Sequence, residues 1–495
     1  MATLCGHGLD PLFQAASAAG MRLVDTRNEQ TAAYMAESFG RLTGRPGVCA
    51  VSSGIAHVNA LTGVANAWYD GAPMLLLSGA GAIATAGMGH FQDMDQVALA
   101  RPLCKYARTL DRPERVVEIV EDALREATTG TPGPVHLTLP MDIERAEVEA
   151  ADVVAAVPRT ASQPAGCTVD ELRDALAHAS RPLVVAGSGL FYGRRGAEAV
   201  ACCERLRIPL TTPIWDRGIV DNPSPVFLGV VGAATGGPEV LAEADCIVMA
   251  GSVADYRTGF LQTPAIARDA RVAYFGGPWA GIDGIAPFEA WMTECARRRD
   301  EFRAGVERRA EEAAAAGPHA LHLIRAIRGV LAQDPVLLID GGNIGQWAHQ
   351  LLCRERYPGD WLTCGRSGVV GWGIGGAMAA RLAFPERPVI LLSGDGSFTF
   401  NLADLEPASR QGLGFVALVA DDQGWGITRT GHRRQFGEPI SSSLGPVDFA
   451  KVAEGLGACG VRAEGEVAVA RQLREALGRR GVTVIHAPVQ ESGLC

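Results

Sequence analysis

Two apolar runs in the last quarter of the chain each deliver an acidic residue to the point where the run stops. Val389-Ile390-Leu391-Leu392 leads through Ser393 and Gly394 to Asp395, and Phe415-Val416-Ala417-Leu418-Val419-Ala420 leads to Asp421 and Asp422. Short, continuous apolar runs bounded by turn residues read as strands buried on both faces, the mark of a parallel sheet. In an open parallel sheet, ligands bind at the carboxyl edge of the strands. Gly394 and Gly396 let backbone approach a ligand there, and residues 401–412 have helical spacing. Hard oxygen ligands beside a glycine loop suit Mg²⁺ or Ca²⁺ holding a diphosphate. An ordinary strand, turn and helix is the plainer reading of Gly-Asp-Gly alone; the second acidic strand end weighs against it.

Strands alternate with helices along almost all of the 495 residues, which predicts α/β layers built on parallel sheets. Three units are expected. The first spans 1–150 and closes with Val135-His136-Leu137-Thr138-Leu139 and Pro140. An Ala-rich linker with Pro158 and Pro164 leads to the second, over 165–305, which opens with Pro182-Leu183-Val184-Val185-Ala186. A charged helix over 297–316 joins the third, over 318–495, and the three units can share one α/β plan. Gly187-Ser188-Gly189 is half of a dinucleotide fingerprint without its full glycine spacing; a structural turn accounts for it better than FAD or nicotinamide binding, which stays as the alternative.

A formal charge of −10 argues against a nucleic-acid surface, where Lys and Arg dominate. No apolar run is long enough to cross a membrane, and the first six residues lack the pattern of a signal peptide. The twelve cysteines are scattered without a CxxC pair, which suits reduced thiols in the cytoplasm.

The segment Gly394-Asp395-Gly396-Ser397, followed by Asp422 and Gly424, resembles the metal-diphosphate motif of thiamine diphosphate enzymes of the acetolactate synthase and benzaldehyde lyase group. The resemblance implies three parallel-sheet domains (pyrimidine-binding, central and diphosphate-binding) with thiamine diphosphate and Mg²⁺ as cofactors. It places the metal on Asp395, Asp422 and Gly424. The family motif ends in two asparagines, whereas this chain has Asp421-Asp422, which adds negative charge beside a diphosphate. It further implies cofactor contacts at Asn343, after the strand Val336-Leu337-Leu338-Ile339-Asp340, and at Gly368. Val370 takes the place of the bulky apolar residue that props the two cofactor rings together, a proximity effect, and is small for it.

Asp25-Thr26-Arg27-Asn28-Glu29 matches the family's DTRxE segment and runs into a helix over 30–42. A glutamate at a helix start has a structural use in offsetting the helix dipole. In the family it bonds N1′ of the aminopyrimidine and thereby promotes loss of the thiazolium C2 proton. Gln92, in Phe91-Gln92-Asp93-Met94-Asp95, matches a glutamine that reaches the substrate; the alternative is a solvated loop residue. His7 lies one residue from the place of a proton-relay histidine in benzaldehyde lyase. His57 follows a degraded glycine loop at Ile55-Ala56 and reads as locally bonded, and Lys105 borders the substrate channel or the surface. The family's first strand and helix are expected to be missing, because Met1 falls inside the loop that follows them; the first sheet would then expose an edge.

Small-molecule carbonyl substrates follow from this likeness: 2-oxo acids or aldehydes, in a carboligase or lyase that forms or cleaves a carbon–carbon bond. A simple 2-oxo acid decarboxylase and a non-catalytic homologue are the alternatives. The family builds its sites between subunits, so a homodimer or homotetramer is implied. Gly431 stands where acetolactate synthases proper carry a tryptophan, and the chain ends at Cys495 without a coenzyme A tail; these features argue against both the housekeeping synthase and the hydroxyacyl-CoA branch.

Overall fold

The apolar runs pair into three parallel sheets. The computed structural model describes residues 1–154, 166–232 and 238–493, so Pro158 and Pro164 of the linker lie outside the described residues. The first sheet comprises β1 (Ala2–Leu4), β2 (Val24–Asp25), β3 (Gly47–Val51), β4 (Met74–Ala80), β5 (Tyr106–Thr109) and β6 (Pro134–Pro140). The second comprises β7 (Pro182–Ala186), β8 (Leu210–Pro213), β9 (Phe227–Val231), β10 (Cys246–Ala250) and β11 (Arg271–Phe275). The third comprises β12 (Val336–Asp340), β13 (Trp361–Thr363), β14 (Val389–Gly394), β15 (Val416–Asp421), β16 (Cys459–Arg462) and β17 (Thr483–Pro488).

The first sheet runs β2-β1-β3-β4-β6-β5 and the third β13-β12-β14-β15-β17-β16, the same order twice, whereas the second runs β11-β10-β7-β8-β9. The common α/β plan therefore holds for all three units, and the first and third share a strand order as well. In the third sheet the strand order reverses between β12 and β14, which opens a crevice at their carboxyl ends. Asn343 follows β12 and Asp395 follows β14, so the sheet order itself brings them to one place.

The expected absence of the first strand does not hold. Ala2–Leu4 pairs in parallel with Val24-Asp25 on one side and with Cys49-Ala50-Val51 on the other. The edge strands of that sheet are β2 and β5. Three residues carry too little pattern to announce a strand; neighbours on both sides supply its hydrogen bonds.

The helix Glu29–Thr43 packs against the helices Ile55–Asp70 and Gly373–Ala383, tying the first unit to the third. Small residues permit this approach: a Cβ on Gly63 would lie 2.5 Å from the Ala33 Cβ, and one on Gly375 would lie 3.0 Å from the Thr31 carbonyl. The joining helix begins earlier than its charged stretch suggests, at Glu289, and ends at Ala315; its first turns bury Trp291, Met292 and Cys295 against the second unit. Residues 401–412 break into a 3₁₀ turn, Leu402–Asp404, and the short helix Leu405–Arg410. Gly187 and Gly189 press on the backbone of Gly251 and Ser252, where a Cβ would come within 2.5 to 2.9 Å, so this turn is filled by the protein's own chain.

Candidate active site

A cavity of about 340 Å³ opens at the carboxyl edge of the third sheet. Asn343, Gly368, Val370, Gly394, Asp395, Gly396, Ser397, Asp422 and Gly424 all line it, together with Ile214 and Trp215 from the second unit. Asp395 is buried, and its carboxylate accepts from the Gly424 amide at 3.1 Å. Burial, then the charge of Asp422, pushes the Asp395 carboxyl up to about 7.

The acidic pair divides. Along β15 successive side chains point to opposite faces. Asp421 turns to His486, with Oδ2 2.8 Å from the ring Nε2, and it also accepts from the Gln423 amide at 3.2 Å. Asp422 turns into the cavity, where Asn343 Nδ2 donates to it at 3.3 Å. Burial raises the Asp422 carboxyl, and the charge of Arg429 opposes that rise. Only one of the two carboxylates thus faces Asp395. Gly424 sits in an antiparallel bridge with Ser443 whose bonds are made by its neighbours, Trp425 N–H to Ser442 and Leu444 N–H to Gln423. That leaves the Gly424 carbonyl outside the ladder.

The loop before the helix Gly373–Ala383 is held from below. The Asp340 carboxylate accepts from the Gly371 and Gly373 amides at 3.1 and 2.9 Å, and Asn401 donates to the Gly371 carbonyl at 2.8 Å. These bonds fix Gly368 and Val370 at the cavity wall.

The first unit gathers a second group at the carboxyl ends of β1 to β4. Glu29 is the first residue of its helix, capped by Asn28, and accepts from Asn59 Nδ2 at 3.0 Å. Gln92 has a left-handed backbone (φ 57°), and its amide oxygen accepts from the Ser53 hydroxyl at 2.8 Å. Gly54, at φ 58°, leaves room for it, since a Cβ there would lie 2.7 Å from that of Gln92. The His7 ring stacks on His90 at 5.8 Å and meets the edge of Phe91 at 5.5 Å, and its Nε2 is buried with no partner. None of these residues lines the cavity of the third unit. His57 packs inward: its Nδ1 lies 2.9 Å from the Ser78 hydroxyl and its ring 4.7 Å from that of His136, and burial lowers its pKa to about 4. Lys105 donates to the carbonyls of Glu126 and Thr129 and so ends the helix Val116–Thr128.

Three family profiles match in order along the chain. They are the N-terminal TPP binding domain of thiamine pyrophosphate enzymes at residues 1–99, their central domain at 169–276 and their C-terminal TPP binding domain at 340–487. The chain belongs to the thiamine pyrophosphate enzymes. It is 29% identical to 2-hydroxyacyl-CoA lyase 2 of Homo sapiens, over 93% of this chain and 82% of that protein. It is also 29% identical to a probable acetolactate synthase of Mycobacterium bovis, over 96% and 90%, and 25% identical to acetolactate synthase isozyme 1 large subunit of Escherichia coli, over 98% and 90%. A lyase and a synthase stand equally near, so this thiamine pyrophosphate enzyme is of the lyase and transferase class. The likeness to a 2-hydroxyacyl-CoA lyase runs against the expectation that set that branch aside.

The cavity suits the cofactor of these enzymes. Asn343 Oδ1 is buried without a partner. A Cβ on Gly426 would intrude between Asp422 Oδ2, at 2.7 Å, and Asn343 Cβ, at 2.9 Å, so glycine keeps the cradle open. Among the described residues no three His, Cys, Asp or Glu side chains gather to hold a metal.

Several residues at the site escaped sequence reasoning. Trp215, at φ 73°, reaches the cavity from the loop after β8. Arg429 lies against the turn 422–424, and Glu491 lies against Arg429. An arginine seven residues after Asp422 was the one local signal of the second feature; nothing local marks the others. No helix among the described residues is long and apolar enough to cross a membrane.

Proposed function

We propose that this enzyme uses thiamine diphosphate and Mg²⁺ to form or cleave a carbon–carbon bond next to the carbonyl of a 2-oxo acid or an aldehyde. The observation that carries the reading is the convergence of Asp395, Asp422 and Gly424 beside the unpartnered Asn343 oxygen, at one end of a cavity large enough for a cofactor and a small substrate. Asp395, Asp422 and the Gly424 carbonyl would hold Mg²⁺, and Asn343, Gly368 and residues 394–397 the diphosphate. Val370 would support the rings. When bound, the cofactor supplies a nucleophilic carbon and a sink for the electron pair of the bond that breaks.

Glu29 would carry the proton at the pyrimidine end, with Asn59 holding its carboxylate in place. Gln92, fixed by Ser53, would orient the substrate carbonyl, and His7 would move a proton at the substrate oxygen. Glu29 would come from a second copy of the chain. That arrangement is supported by the cavity, whose lining comes only from the second and third units, and by apolar side chains left open on both sides. Ile55 and Val58, on the helix that carries Asn59, are 61% and 41% exposed, and Phe400 beside the platform is 50% exposed. A homodimer or homotetramer would cover them. The eleven described cysteines form no disulfide, which suits the cytoplasm.

Calorimetric titration with thiamine diphosphate and Mg²⁺ tests the cofactor reading, and mass analysis after incubation with 2-oxo acids and aldehydes tests the chemistry. Binding that needs both components, followed by coupled or cleaved products, is expected. Absence of binding at millimolar cofactor refutes the proposal.

A further inference from the structure

Asp422 puts a negative charge where the motif it resembles has a neutral amide, and it does so beside Asp395. Two carboxylates facing a diphosphate repel it unless a cation offsets one of them. Arg429, buried in the first turn of the helix Gly426–Phe436, lies against that place. Its guanidinium donates to the carbonyls of Asp422 at 2.8 Å and Gln423 at 2.9 Å, and stands 3.5 Å from Asp422 Oδ1. A Cβ on Gly424 would collide with this guanidinium, so the glycine and the arginine fit each other. On its far side Arg429 Nε stands 3.1 Å from Glu491, an ion-pair distance, and Arg433 reaches the same carboxylate at 2.5 Å.

Charges alternate along this row of four, Asp422, Arg429, Glu491 and Arg433, and sum to zero. With that row neutral, the cavity presents to a diphosphate the charge of Asp395 and not that of two uncompensated carboxylates. Glu491 belongs to the segment after β17, which is tied down elsewhere: Val489 N–H donates to the Asp421 carbonyl and Trp347 Nε1 to that of Ser492.

We propose that Arg429 is a positioning residue that neutralises Asp422 and clamps the turn 422–424, and that Glu491 governs how much of its charge Asp422 receives. The proposal rests on the platform reading above.

Two affinities separate it from a purely structural role: Mn²⁺ alone, read by paramagnetic resonance, and thiamine diphosphate at saturating Mg²⁺, read by calorimetry. In Arg429→Gln the diphosphate should bind about ten-fold or more weakly, while Mn²⁺ binds as well as in wild type or better, because the uncovered carboxylate attracts a cation and repels an anion. Adding Asp422→Asn should bring cofactor affinity back to within about three-fold of wild type, as the pair is coupled. Arg429→Lys keeps the charge but loses the fork that holds the two carbonyls, so it should bind the diphosphate more weakly than wild type and more tightly than Arg429→Gln. Glu491→Gln, which frees Arg429 for Asp422, should tighten cofactor binding. Loss of both ligands in Arg429→Gln without rescue by Asp422→Asn, unchanged cofactor affinity in Arg429→Gln, or cofactor binding in Glu491→Gln that is not tighter overturns the inference. Wild-type protein that binds no cofactor overturns the platform reading instead.

Discussion

The carboxylate of Asp404, in the third unit, accepts the hydroxyl hydrogen of Thr31, in the first, at 2.6 Å, and its other oxygen accepts from the Arg27 amide, also at 2.6 Å. Thr31 and Arg27 flank Glu29, so one buried side chain grips the start of the Glu29 helix on both sides. Gln411 adds two bonds to the backbone of Asp25 at 3.2 and 2.9 Å. Asp404→Ala should therefore shift Glu29 without touching the platform. We expect kcat to fall about ten-fold or more, because small displacements of a catalytic group are costly. Stability should fall by about 1–3 kcal/mol, because a buried amide and hydroxyl lose their acceptor. Cofactor affinity should change little, and thermal unfolding with steady-state kinetics and calorimetry reads all three.

Glu29→Gln keeps the shape of the side chain and the Asn59 contact but removes the basic oxygen. Loss of a positioned acid–base group costs on the order of 10²–10⁴-fold in rate. The fold and the Mg²⁺-dependent cofactor binding should remain. Activity within three-fold of wild type would refute the role of Glu29.

Mixing two inactive variants tests the site between subunits. Asp395→Ala would remove a proposed metal ligand and Glu29→Gln the proposed base, and each is expected to be inactive alone. If Glu29 serves a partner's platform, a mixed dimer holds one site with both changes and one with neither. Random subunit exchange should then restore about a quarter of wild-type activity, as follows from two-fold symmetry. Restoration of none would place Glu29 and Asp395 of one site on the same chain.

What sequence could disclose here follows from range. The apolar runs, the acidic strand ends and the helix start at Glu29 are local, and each lies where its pattern puts it. The division of Asp421 from Asp422 is also local, since alternation along a strand sends neighbours to opposite faces, but only the structure shows that His486 waits on the far face. β1 was hidden because its three residues become a strand only between β2 and β3. The grip of Asp404 on Thr31 spans 373 residues of sequence, and no local rule reaches that far.

A buried carboxylate apart from the site should give the fold a pH dependence. Glu37 is fully buried, accepts from Asn66 Nδ2 at 2.8 Å and Arg41 Nη1 at 3.1 Å, and shares Arg41 with Asp70. Burial and the charge of Asp70 outweigh Arg41 and raise its pKa from 4.5 to about 7. The folded state thus holds this proton more tightly than the unfolded chain does. The stabilisation is complete below the unfolded value and is lost as pH rises through the folded one, a change of up to about 3 kcal/mol. Glu37→Gln, which cannot titrate, should show a shallower fall in denaturant midpoint between pH 5 and 8 than wild type. Equal slopes would contradict the assignment.

Trp215 combines a backbone angle that favours glycine, φ 73°, with a half-buried ring at the cavity wall, 6.3 Å from the ring of Tyr256. Strain of this kind costs on the order of 1–3 kcal/mol and persists at sites where the side chain has a use. We propose that Trp215 narrows the cavity from the second unit and so limits the size of the substrate it admits. Trp215→Gly removes the ring and the strain together. Stability should hold or rise by about 1 kcal/mol, because glycine adopts this angle freely. KM for small 2-oxo acids and aldehydes should rise about ten-fold as apolar contact is lost, while kcat/KM for substrates with a bulky side chain improves. Should the variant lose stability and treat small and bulky substrates alike, Trp215 fills the core of the second unit and does not select substrates.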